Sequence, residues 1–386
     1  MSQRTAVRTH TFTESVIRDM TRVARRHGAI NLAQGFPDFP APRILKDAAC
    51  RAIQDDINQY AITWGTPALR EALAAKYGEW YGLDIDADRE ITVTCGATEA
   101  MAAVMLAVVD PGAEVIVLEP FYENYGPDAV LCDAAPVFVP LSLPEFRLDP
   151  ARLRSAVTER TRAIVVNTPS NPSGRVFDQG EMSAVAEICT RHDILAITDE
   201  IYEHIIYEGE HIPLAALPGM RERTVIISGL SKTFSVTGWR IGTIVAPPLL
   251  TSAIRKVHDF LTVGAPAPLQ EACAAGIGSF GHDYYDGLTR DYRRRRDILY
   301  RGLRDSGFRC RPPEGAYYIM ADFSALSALA DTAFSTFLAR ECGVAPVPGS
   351  SFYHRPEDGR RLVRFAFCKR TSTLERAADR LRRFFG

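Results

Sequence analysis

The chain of 386 residues is rich in arginine but holds only five lysines, at positions 46, 76, 232, 256 and 369. Four of them fall in polar, helix-like or terminal segments, where a lysine is normally a solvated surface charge. Lys232 differs. It follows an apolar run, 224–227, that reads as a buried strand, and it stands among small residues in SGLSKTFSVTGWRIG, residues 228–242. A lysine there is costly unless its amine is paired, deprotonated or used covalently. Partial desolvation turns such an amine into a nucleophile suited to Schiff-base chemistry. Taken alone, the position also suits a loop lysine capping a carbonyl. Eight residues on, Arg240 stands between Trp239 and a second strand-like run, 241–246; its planar fork can grip two oxygens of one anion and never loses its charge.

Other residues carry the same tension between charge and setting. Asp199 ends the apolar run 194–198, so its carboxylate must find a cationic or hydrogen-bonding partner. Arg364 stands inside the alternating run 362–367 and needs an anion, unless it snorkels to water. In 95–98, Cys-Gly-Ala-Thr, small residues open a helix after a strand; free amide N–H groups and the helix dipole favour an anion there, and Thr98 can add a hydroxyl. Aromatic residues at 121–122 and the turn NTPSNPSG, 167–174, follow strands in the same way. As bare patterns they would be packing and a turn.

The elements that must position these groups read as strands at 90–94, 114–118, 162–166, 194–198, 224–227 and 241–246. Helices are expected at 12–27, 42–56, 67–81 (amphipathic), 99–109, 178–192, 249–261 and 283–306, with a capping box at 372–375 opening the last one. Strands alternating with helices imply an α/β fold with a largely parallel sheet and active groups at the strand C-termini. Residues 34–40, with two prolines and a glycine, form an ordered loop or connector.

Composition bounds the rest. The chain is 46% hydrophobic and 24% charged with a net charge of -2, which gives no electrostatic case for nucleic acid. The arginines at 293–296 read as the wet face of a helix. Eight scattered cysteines without a CxxC pair argue against a metal or redox site and fit a reducing cytoplasm. No signal peptide or membrane span is expected, and neither dinucleotide nor P-loop fingerprint is present.

The string 228–242 resembles the lysine motif of fold-type I enzymes dependent on pyridoxal 5′-phosphate (PLP), in the class I/II aminotransferase group; NLAQGFPDFP, 31–40, is similar to its kynurenine aminotransferase branch, and the chain as a whole resembles the kynurenine, methionine, aromatic and N-succinyldiaminopimelate aminotransferases. The resemblance implies a large domain, 41–280, with a mostly parallel seven-stranded sheet, and a smaller α+β domain, 1–40 with 281–386. It implies that Lys232 binds PLP as a Schiff base and moves the substrate's α-proton, while Arg240, Ser231, Gly96, Ala97 and Thr98 hold the phosphate. Gly229 stands where many relatives have a further serine. Asp199 would meet the pyridinium N–H, Asn171 and Tyr202 the phenolic oxygen, and Tyr122 the ring face. Gly35 and Phe36 would cover the substrate, and Arg364, with Asn171, would clamp its α-carboxylate. Tyr60 in Asn58-Gln59-Tyr60 would cross a homodimer interface to the neighbour's phosphate, so that active sites are shared.

The implied activity is ping-pong transamination between amino acids and 2-oxo acids. Large neutral donors are expected to outperform aspartate, because no second cation is evident near 35–36, 263–264 or 317–318. The 263–264 loop also lacks the aromatic and His pair of mammalian kynurenine enzymes. A PLP-dependent C–S β-lyase is the alternative. A PLP-binding regulator fits less well, with no room for a DNA-binding domain before residue 30.

Overall fold

The computed structural model describes residues 4–386; residues 1–3 of the expected small domain, the start of the N-terminal stretch read for targeting, lie outside the described residues. At its centre is a seven-stranded sheet. In spatial order the strands are Ile91–Thr94, Gly242–Val245, Thr224–Gly229, Leu195–Asp199, Thr161–Asn167, Glu114–Glu119 and Ala135–Pro140. Only Gly242–Val245 runs against the others. Its reversal matters: it places the segment before Gly242, including Arg240, at the edge where the other strands end. Strands such as Glu114–Glu119 and Thr224–Gly229 are buried along their whole length, as a sheet covered on both faces requires, and this explains their unbroken apolar runs. One face packs against Ala97–Val108 and Pro248–Thr262, the other against Gln179–His192.

A second sheet, four-stranded, holds Val347–Pro348, Leu362–Ala366, Tyr318–Asp322 and Arg309–Cys310 in that order. The 24-residue helix His282–Asp305 and the terminal helix Thr371–Phe385 cover it. The N-terminal segment joins this part: Ile30–Asn31 pairs in parallel with Val344–Ala345, and Val16–Arg26 packs beside it. The helix Pro67–Tyr81 is built by local signals. Thr66 caps it by accepting from the Leu69 N–H, proline fills the first turn, and Gly82 ends it in the left-handed conformation.

Four expectations are corrected here. The last helix starts at Thr371 without the capping box; Asp38, from the proline-rich loop, instead accepts from the Arg370 N–H and the Thr373 hydroxyl. The helix Pro67–Tyr81 is not divided cleanly into wet and dry faces, since Arg70 and Lys76 are buried. Two of the four supposedly solvated lysines are in fact interior. Lys76 pairs with Glu203 at 2.6 Å, and Lys369 donates to the Phe36 carbonyl at 2.7 Å with its ammonium over the Phe36 ring. Among the arginines at 293–296, Arg296 is buried and paired with Glu208 and Asp297. Lys76, Lys369 and Arg296 each find a carboxylate or carbonyl partner distant in sequence, which no local pattern reveals. No helix among the described residues is long and apolar enough to cross a membrane.

Candidate active site

A cavity of about 500 Å³ opens where the C-terminal strand ends of the large sheet meet the small one. Its wall includes Gly35, Phe36, Ala97, Thr98, Tyr122, Asn171, Asp199, Tyr202, Ser231, Lys232, Arg240 and Arg364. Residues hundreds of positions apart thus converge on one space. Gly96 lies just behind it, and Tyr60 does not border it. A second cavity of about 510 Å³, between 143–147 and 309–314, contains none of the sequence-predicted residues. Its Arg147, Arg175 and Arg311 already have carboxylate partners.

Lys232 follows the strand Thr224–Gly229 and reaches into the cavity. Its amine makes no hydrogen bond or ion pair among the described residues; it lies over the ring faces of Tyr202 and Tyr317, each centroid 5.9 Å away. Burial pushes the amine's pKa down to about 8, the nearby Arg240 and Arg364 adding to the effect while Cys368 and Asp199 oppose it. Asp199 is buried at its strand end. Its Oδ2 accepts from the Tyr125 hydroxyl at 2.6 Å, and the Ile201 N–H reaches Oδ1 at 3.3 Å. Desolvation raises its pKa, with those hydrogen bonds and Lys232 working against the rise. A cationic N–H on a bound ring would give this carboxylate the partner it lacks.

The helix start at Ala97 and the Arg240 guanidinium form a part of the cavity wall suited to an anion. Gly96 caps the helix Ala97–Val108 at a positive φ of 86°, and a Cβ there would lie 2.2 Å from Arg240 Nη2, so only glycine lets the guanidinium lie over this turn. Among the described residues the Arg240 side chain hydrogen-bonds only to carbonyls, of Thr237 at 3.2 Å and Cys95 at 3.4 Å. The N–H groups of Ala97 and Thr98 start the helix and have no intrahelical acceptor. Ser231 and the exposed Thr98 add hydroxyls. This arrangement suits a phosphate.

Arg364 is the most telling residue. It is 0% exposed, on the strand Leu362–Ala366, yet no carboxylate among the described residues pairs with it. Nη1 donates to Asn171 Oδ1 and Nη2 to the Ala33 carbonyl, both at 2.6 Å, while the buried Nε has no partner. The Gly35 loop is pressed close: Tyr317 donates to the Gly35 carbonyl at 2.9 Å, and a Cβ at Gly35 would stand 2.1 Å from the Tyr318 hydroxyl. Tyr318 in turn shares a 2.9 Å hydrogen bond with Tyr202. The unpaired amine, the buried carboxylate, the anion-receptive helix start and the uncompensated arginine together fit PLP with an α-carboxylate substrate.

Sequence reasoning missed Tyr125, Asn167 and Tyr318 as site residues. Asn167 was legible as the first asparagine of the 167–174 turn: it donates to the Asp199 carbonyl at 2.8 Å and accepts from the Asn171 N–H at 2.7 Å. Tyr125, one of fourteen tyrosines, had no such signal. Arg18 lines the cavity together with Gly35, Phe36 and Tyr318, a cation not expected near those segments.

The aminotransferase class I and II family profile matches residues 27–381. Methionine aminotransferase of Escherichia coli is 41% identical over 369 residues, covering 95% of each chain. Human kynurenine–oxoglutarate transaminase 1 is 35% identical, over 95% of this chain and 94% of its own. The solved structure of N-succinyldiaminopimelate aminotransferase from Mycobacterium tuberculosis superposes with a TM-score of 0.95 at 40% identity, over 98% of this chain and 99% of that one. The chain therefore belongs to the class I and II aminotransferase family and is a PLP-dependent transaminase of amino acids and 2-oxo acids.

Proposed function

We propose that the enzyme moves an amino group from a large neutral L-amino acid, of the methionine or aromatic type, to a 2-oxo acid. The observation that carries this reading is Arg364, a fully buried cation without a counter-ion, which an α-carboxylate would complete. When bound, PLP supplies an electrophilic carbonyl and a ring that accepts the electron pair released at the substrate's α-carbon. Lys232 would anchor the cofactor and hold and return the α-proton; an amine of pKa about 8 is suited to both tasks near neutral pH. Asp199, braced by Tyr125, would hold the ring nitrogen in its protonated form. Asn171 and Tyr202 would address the phenolic oxygen, and Tyr122 would lie against the ring face. Gly96, Ala97, Thr98, Ser231 and Arg240 would take the phosphate. One clamp, Arg364, serves both carboxylate substrates, so the first product must leave before the second substrate binds; this supports a ping-pong order.

Ile17, Phe36, Met101 and Tyr318 give the cavity apolar and aromatic walls, and the E. coli relative is a methionine aminotransferase. Both support neutral donors. The division into 41–280 and 1–40 with 281–386 belongs to the same reading, supported by the separation of the seven-stranded sheet from the four-stranded one. So does the homodimer. Tyr60 is 88% exposed and Phe260 92%, with Ile62 and Val263 also exposed, and the contacts of Thr63 with His258 and Asp259 bring these two segments beside each other. A second copy covering these exposed side chains would give Tyr60 a partner site. Eight free cysteines support a reducing, cytoplasmic setting.

The test is kcat/KM for methionine, phenylalanine, kynurenine and aspartate measured side by side. A clear preference for aspartate refutes the donor class. Release of ammonia and pyruvate from cysteine-type substrates without any 2-oxo acid would assign the β-lyase chemistry instead.

A further inference from the structure

The cavity holds four cations, Lys232, Arg240, Arg364 and Arg18, and two acids, Asp199 and Glu123. Lys232, Arg240, Arg364 and Asp199 have roles in the function proposed above, on which this inference rests. Arg18 and Glu123 are left over, and they are not paired with each other. The Ser15 hydroxyl, at the N-cap of the helix Val16–Arg26, donates to Glu123. The acids nearest Arg18 in sequence are also taken: Arg22 reaches Glu14 at 3.1 Å and Asp19 at 3.2 Å. The Arg18 side chain has no hydrogen bond or ion pair among the described residues, although it borders the same cavity as the substrate clamp. Its neighbour Ile17 is buried, which fixes the helix and with it the position of Arg18 on the exposed rim.

We propose that Arg18 is a specificity residue that pairs with the distal carboxylate of a dicarboxylic substrate whose α-carboxylate is held by Arg364. The two guanidiniums differ in depth, one fully buried and one exposed, so the ligand needs enough methylenes to span from the floor of the cavity to its rim. A 2-oxo dicarboxylic acid serving as amino acceptor meets this description. A neutral donor would use Arg364 and the apolar wall alone, which lets one cavity accept both substrates in turn. A planar guanidinium suits the task because it takes a carboxylate through two parallel hydrogen bonds.

The experiment is calorimetric binding to the PLP-loaded enzyme of unreactive probes: glutarate and adipate as dicarboxylates, and pentanoate as a monocarboxylate. The tighter dicarboxylate should bind about tenfold better than pentanoate, one charge-assisted pair of about 1.4 kcal/mol. In Arg18→Gln that ratio should fall to near one, and in Arg18→Lys part of it should survive. The ratio compares ligands within one protein, so a general loss of folding does not imitate the result. A wild-type ratio near one, or a ratio undiminished in Arg18→Gln, overturns the proposal. Failure of the aminotransferase reading looks different: no amino acid would convert the bound cofactor, whatever the binding ratio.

Discussion

Replacing Arg364 with leucine removes the charge and keeps much of the side-chain volume. In the wild type the guanidinium is fully buried and its Nη atoms are committed to Asn171 and Ala33 at 2.6 Å each. A substrate carboxylate entering this space is desolvated, and removing one partner of a buried pair costs about 3–5 kcal/mol. At about 1.4 kcal/mol per factor of ten, kcat/KM for methionine should fall about 10²–10⁴-fold. The substitution also strands the Asn171 and Ala33 acceptors, a cost that is independent of substrate. The control is therefore 3-(methylthio)propylamine, which is methionine without its carboxylate. Single-turnover absorbance changes of the loaded enzyme would be followed for both amines in both proteins. The wild type should strongly favour methionine, and Arg364→Leu should lose most of that preference. A loss below tenfold on methionine, or the same loss on both amines, refutes the clamp.

Three further outcomes are expected. Because the Lys232 amine is lowered from 10.5 to about 8, it is the neutral nucleophile above pH 8 instead of only above 10; PLP capture by the apo-protein should rise through pH 8 and level off, and a midpoint near 10 contradicts the burial effect. Mixing inactive Tyr60→Ala and Lys232→Ala proteins should restore activity through hybrid dimers, whereas a fully active monomer in sedimentation excludes a shared site. Lys76→Met should lower the unfolding free energy by about 3–5 kcal/mol in urea titrations by stranding the carboxylate of Glu203, itself only 5% exposed; a loss under about 1 kcal/mol would show that the pair is not important to stability.

The buried strands were legible because a sheet covered on both faces demands unbroken apolar runs, and Pro67–Tyr81 because its cap, its proline and its terminal glycine are local. The site groups were legible for a related reason. Lys232, Asp199 and Arg364 are charges in apolar settings, a mismatch visible without any partner in view. Compensation across the fold was hidden. The terminal helix is capped by Asp38, which lies 332 residues before Arg370, and the Ser372–Glu375 pattern gave no hint that a better acceptor would arrive. Lys76 and Arg296 read as surface because their carboxylates, Glu203 and Glu208, are neighbours only after folding. Tyr125 braces Asp199 across 74 residues by one hydroxyl, and Arg18 borders the cavity on a helix whose Ile17, Met20 and Ala24 pack in one cluster with Met320, Val347 and Phe352, residues far along the chain.

The most direct test of Lys232 as the anchoring and proton-moving group is borohydride reduction of the loaded enzyme, followed by digestion and mass mapping of all five lysines. Lys232 as the anchor predicts the cofactor mass on the peptide containing Lys232 and none on those with Lys46, Lys76, Lys256 or Lys369, and no fixed cofactor in Lys232→Ala. Cofactor fixed to another lysine, or retained covalently in Lys232→Ala, would contradict it.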